Sequence, residues 1–171
     1  MPYVYYFHHA GEHFTYGIFD DWRKESEYTK NLTRVKRPAR VTYRTQKVLW
    51  NEALGLRHDR AYWVRDIRPA GDGYADVDLT THGCGGALDE TARRQSAGTD
   101  PVSWHSDETY VRGRTALARA PKLTGELRDV SSLTVDAKQT CLRKQPVRID
   151  VKTNVPVTLR LSDGRAFELK P

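Results

Sequence analysis

Hydrophobic positions change their spacing twice along the chain. Tyr3 to His8 is a short aromatic and β-branched run, which predicts a buried strand, and the AGEH segment after it turns the chain. From Thr15 to about Thr33 the pattern is helical, with Ile18, Phe19, Trp22 and Leu32 on the buried side. Asp20, Asp21, Glu25 and Glu27 precede Lys30 and Arg34, the order a helix dipole favours, and Thr15 stands at the N-cap position. The polar, basic stretch ending in Pro38 reads as a stop and a linker. Beyond it the period falls to two: Val41 and Tyr43; Tyr62, Val64 and Ile67; Val77 and Leu79; Leu133 and Val135; Val147, Ile149 and Val151; Val157, Leu159 and Leu161; Phe167 and Leu169. Turn signals separate these runs, at Gly71-Asp72-Gly73, Asn154-Val155-Pro156 and the SDGR loop of residues 162–165. Short strands with tight turns predict a mainly β protein, an antiparallel immunoglobulin-like β-sandwich. Residues 83–130, rich in Gly, Ser, Thr, Arg and Asp, break the period and are expected to form a long, partly irregular excursion.

Composition narrows the class. With 171 residues, 38% apolar and 29% charged, the chain has a globular balance and the length to bury an ordinary core. No run approaches the about twenty apolar residues that a bilayer crossing needs. The opening MPYVYYFHHAGEH lacks the charged region and cleavage site of a signal peptide. The chain by itself is therefore expected to be neither inserted in a membrane nor exported. Its net charge of +6 is concentrated between residues 23 and 47. There Arg23, Lys24, Lys30, Arg34, Lys36, Arg37, Arg40, Arg44 and Lys47 face only Glu25 and Glu27. Such a patch suits nucleic acid or an acidic partner, but no nucleic-acid motif accompanies it, so a solvated or domain-facing surface is expected. Cys84 and Cys141 are the only cysteines. Without a C-x-x-C pattern they are either two buried thiols or one disulfide.

The densest group of chemically capable side chains is HHAGEHF at residues 8–14. His9 and His13, with His8 and Glu12 beside them, would ligate a metal if a helix put the imidazoles on one face. Gly11 and the strand before it argue against that helix, so neither a metal nor any other cofactor is expected. The segments YVYYFHHAGEHFTYGIFDDW and RPARVTYRTQKVLWNEALGLRHDRAYWVRDIRPAGDGYADVD resemble the C-terminal end of secreted bacterial α/β-hydrolases of the prolyl-oligopeptidase and polyhydroxybutyrate-depolymerase-like kind. Ala61-Tyr62-Trp63-Val64 and the closing run from Val157 to Gly164 match the β-rich C-terminal domain of such proteins. The resemblance implies that residues 1–35 are the last strand, histidine turn and helix of an α/β-hydrolase domain, and that residues 38–171 are a β-sandwich accessory domain. It makes His13 the triad histidine, general base and acid to a serine.

The order in that fold is serine, acid, histidine, so the elbow and the acid would precede His13 and be absent here. Arg94-Gln95-Ser96-Ala97-Gly98 lacks the first glycine of an elbow and lies after the histidine, which leaves Ser96 a loop serine. The resemblance therefore implies the C-terminal segment of a secreted serine hydrolase, an esterase or peptidase in the parent, inactive alone. Its partner would be an upstream catalytic α/β-hydrolase region, with a polymer as a possible substrate. A secreted parent also favours the Cys84–Cys141 disulfide. The alternative is a free-standing β-sandwich binding module for a polymer or protein partner. Three further groups have plainer readings. His58 and Asp59 are adjacent, and neighbours in a strand do not face each other. His105 beside Trp104 sits in a polar stretch where a Trp anchors a small core. Of Tyr62 and Trp63 only one can point inward, so with Trp50 they offer too few exposed rings for a sugar platform.

Overall fold

A two-residue period with an aliphatic residue at each inward position can be satisfied only by strands that share a core. The computed structural model describes residues 3–8, 30, 35–97 and 104–171. Among them the chain is mainly β. The strands are β1 (Tyr3–His8), β2 (Arg40–Thr45), β3 (Val64–Pro69), β4 (Ala75–Thr81), β5 (Gly86–Ala97) and β6 (Trp104–Leu117). Then come β7 (Lys122–Arg128), β8 (Val130–Val135), β9 (Arg148–Thr153), β10 (Val157–Leu161) and β11 (Ala166–Leu169). The helix predicted from Thr15 to Thr33 lies outside the described residues except for Lys30.

The chain divides into two units. One comprises Met1–Arg34 and Ala87–Ala116; the other comprises Val35–Gly86 and Leu117–Pro171. In the first, three strands form a sheet in the order β1-β6-β5. There β1 runs antiparallel to β6, from Tyr3 opposite Thr109 to His8 opposite Trp104.

The second unit holds two four-stranded sheets, β2-β4-β7-β9 and β11-β10-β8-β3. Val41, Val77, Leu79, Leu123 and Leu127 of the first and Val64, Ile67, Leu133, Val135, Val157, Leu159 and Leu161 of the second belong to one buried cluster. Antiparallel pairs dominate, but β7 with β9 and β8 with β10 are parallel. The reason is the route of the chain: β7 and β9 lie in one sheet, β8 and β10 in the other, so each crossing puts a strand of the opposite sheet between parallel neighbours. Two of the corners that change sheets are bonded to each other. The Asp129 N–H donates to Asn154 Oδ1 at 2.8 Å, and Asn154 Nδ2 donates to Asp129 Oδ1 at 3.0 Å.

The irregular excursion expected over residues 83–130 is instead three strands, β5, β6 and β7. In β7 the inward positions are Leu123, Gly125 and Leu127, and glycine at the middle one hides the period. The reason is contact: a Cβ on Gly125 would lie 2.0 Å from the Asp78 carbonyl oxygen of neighbouring β4, at a φ of +142°. In β3 both Val64 and Ile67 are buried although three residues apart, because the ladder shifts between Arg65 and Arg68 and Asp66 takes a φ of 53°.

Cys84 and Cys141 form a disulfide with Cα atoms 5.1 Å apart. It joins the β4–β5 connection to the long β8–β9 connection. That second connection starts on Asp136, whose Oδ1 accepts the N–H groups of Lys138 and Gln139 at 2.9 Å each. It ends beneath the β10–β11 hairpin, where Arg165 donates to the carbonyls of Leu142 and Gln145.

Candidate binding surface

The connection from β2 to β3 is where the second unit departs from the rule that aliphatic residues go inward. β2 closes on buried Thr45, whose hydroxyl donates to the His58 carbonyl, tying the two ends of the connection together. Between them stand two one-turn 3-10 helices, Lys47–Leu49 and Glu52–Leu54. The second is capped at both ends. Asn51 Oδ1 accepts the Leu54 N–H at 3.2 Å, and Gly55 takes the left-handed conformation at a φ of 65°. The Asn51 and Leu56 backbones then exchange two hydrogen bonds of 2.8 Å.

This braced loop holds its aliphatic side chains in solvent. Val48 is 75% exposed, Leu54 70%, Leu56 56% and Leu49 54%. Trp50 is half-buried, its indole N–H 3.3 Å from Thr45 Oγ1 and its ring under the Arg68 guanidinium at 5.4 Å. Gln46 Nε2 donates to the Asp72 carbonyl at 2.9 Å, which fastens the loop to the β3–β4 turn. That turn leads to exposed Tyr74, with Arg44 over its ring at 5.2 Å.

The charges nearby are mostly matched. Arg44 holds Asp76 with both Nε and Nη2, at 2.6 and 2.9 Å, and Arg40 holds Asp78 in the same way. The Arg44 hydrogen bonds keep the Asp76 carboxyl below its ordinary range. Two members of the basic stretch are thus neutralised by the next strand. Arg57 lies 3.6 Å from Glu52 and Arg60 3.3 Å from buried Asp59. Tyr43, packed against the core, has its phenol pushed up by burial first and by the Asp59 charge second.

The candidate residues do not converge on one centre. His9 and His13 lie outside the described residues. His8 ends β1 opposite Trp104, and His105 pairs with Phe7. Ser96 stands within β5, in a strand and not the loop expected. His58 is exposed while Asp59 is buried, so the pair faces opposite ways. Trp63 is 1% exposed with its indole N–H on the Pro38 carbonyl at 2.7 Å, and Tyr62 turns outward at a φ of 52°. Among the described residues no group of three or more His, Cys, Asp or Glu could hold a metal ion, and no helix is long and apolar enough to cross a membrane. No family model, curated protein or solved structure matches the chain. What the sequence reading missed is the exposed quartet in KVLWNEALGL. Its signal is present, since aliphatic residues there follow neither the strand nor the helix period and are interrupted by Asn51 and Gly55.

Proposed function

We propose that the second unit is an immunoglobulin-like β-sandwich that acts as a binding module outside the cytoplasm, meeting its partner through the β2–β3 loop. The observation that carries this reading is the presentation of Val48, Leu49, Leu54 and Leu56 in solvent on a loop whose backbone is internally hydrogen-bonded. A connection that merely failed to pack would not need two caps and a bridge; rigid presentation lowers the ordering cost of binding. The Cys84–Cys141 bridge supports an oxidising compartment. The test uses the oxidised full chain and anilinonaphthalene sulfonate, a dye that fluoresces on apolar surface. The native protein should enhance its emission, and Leu54→Asp with Leu56→Asp should remove most of the gain while leaving circular dichroism unchanged. No enhancement, or one that survives the substitutions, overturns the reading.

A second reading is favoured by the segments that carry the resemblance. Ala61–Val64 includes the core tryptophan, and the Val157–Gly164 run forms β10 and the turn that leads into β11. On this reading the module is the accessory domain of a secreted serine hydrolase, with His13 completing a triad whose serine and acid lie in an upstream region. The chain alone should not be labelled by a fluorophosphonate probe, which needs an activated serine. Stoichiometric labelling lost on Ser96→Ala overturns it, as does coding sequence upstream of Met1 without an in-frame G-x-S-x-G.

A further inference from the structure

Resting on the binding-module reading, we infer that the partner of the β2–β3 loop is an anionic lipid surface, into which Val48, Leu49, Leu54 and Leu56 insert. Three observations lead there. The first is shape: within nine residues, Val48 and Leu49 sit on one one-turn helix, Leu54 on the next, and Leu56 on the bridge that closes it. A stable protein interface buries about 1,200 Å² or more in total, which a loop of this length does not supply. Interfacial insertion needs only a few apolar side chains reaching the boundary between headgroups and acyl chains.

The second is charge. Of the cations in residues 44–60, Arg44 is held by Asp76, Arg57 by Glu52 and Arg60 by buried Asp59, which leaves Lys47 beside the apolar tip as the uncompensated charge among the described residues. A cation beside an apolar tip complements anionic headgroups. A second copy of the chain fits worse, because a two-fold interface would set Lys47 against its own copy. The third is rigidity. The capped 3-10 turn and the Asn51–Leu56 bridge hold Leu54 and Leu56 outward before any surface is met. The lack of a membrane-spanning run bears on crossing, not on docking at the surface.

The experiment is co-sedimentation of the oxidised full chain with vesicles of phosphatidylcholine alone and of phosphatidylcholine and phosphatidylglycerol in equal parts. Binding is expected on the mixed vesicles, weaker on the neutral ones, and falling as salt is raised. Leu54→Asp with Leu56→Asp should weaken it at least about tenfold, since two leucines that would insert into the lipid become charges. Lys47→Glu should weaken it less and flatten the salt dependence. Absence of binding to mixed vesicles, or binding that the leucine substitutions leave unchanged, overturns the lipid assignment. So does a concentration-dependent dimer, seen by light scattering, that the same substitutions abolish. In that case the loop remains a binding surface, with a second copy as its occupant. A dye signal lost on substitution without vesicle binding likewise removes the lipid and keeps the module, whereas failure of both removes both.

Discussion

Single residues in the second unit are fixed by contacts that allow little substitution. Gly125 is the clearest, because a methyl group there would meet the Asp78 carbonyl at 2.0 Å in the middle of the β4–β7 ladder. Gly125→Ala should therefore cost about 3 kcal/mol, read as a lower urea midpoint at unchanged m, since both backbones must shift and the left-handed φ is strained. Asp163 and Arg165 act as a pair at the β10–β11 turn. Arg165 Nη2 donates to Asp163 Oδ2 and to the Leu142 carbonyl, at 2.6 Å each, so the carboxylate holds the guanidinium over the disulfide-bearing loop. The hydrogen bond from Arg165 lowers the Asp163 pKa from 3.8 to about 2. A carboxyl depressed on folding stabilises the native state above its unfolded value, and the gain is lost as pH falls from about 4 through about 2. Wild type should thus be more stable than Asp163→Asn at pH 6 and should lose that margin over this window. A difference that is flat with pH would show that the pairing contributes nothing.

At the scale of elements, the β8–β9 connection is held by three devices: the Asp136 cap, the Arg165 clamp and the disulfide to Cys84. Gly83 belongs to the same arrangement, as a Cβ there would lie 2.2 Å from the Thr140 carbonyl. The bridge spans a sequence separation of 57, so cross-linking the unfolded chain should stabilise by about 4 kcal/mol. Cys84→Ala with Cys141→Ala, or wild type in reductant, should show that loss in denaturant titrations, and an unchanged midpoint would mean the other two devices suffice. Which elements could be read from the sequence follows from burial. β2, β4, β8 and β10 alternate because one face of each lies on the core, and the SDGR loop predicted the closing hairpin. β5 and β6 carry no two-residue period, and a ladder made of backbone groups leaves no mark on side-chain identity. β7 was hidden by Gly125. Parallel pairing was illegible because it depends on the order in which strands change sheets. The β2–β3 loop was half legible: VLWNEALGL is visibly apolar, but only its caps and exposures make it a surface and not a buried connection.

For the whole molecule, the division into two units makes a claim about cooperativity. Among the described residues, the buried cluster runs from Val41 to Leu161. The second unit closes at its start through the Trp63 indole on the Pro38 carbonyl and the Thr81 N–H on the Ala39 carbonyl, both beyond residue 34. Removing residues 1–34 deletes the β1 edge of the three-stranded sheet and leaves the eight strands of the two four-stranded sheets in the chain. The truncated chain should unfold in one cooperative transition with a midpoint within about 5 °C of the parent, a shift corresponding to roughly 1 kcal/mol in a unit of this size. Hydrogen exchange supplies the local test, because protection follows the free energy of the smallest opening that exposes each amide. Amides of Leu123–Leu127, Leu133–Val135 and Val157–Leu161 should stay the slowest in both proteins, and those of Trp104–Thr109, which face β1, should exchange faster once it is gone. If the deletion unfolds the entire chain, or if β7 and β8 lose protection together with β6, the two units form one cooperative structure and the second does not stand alone.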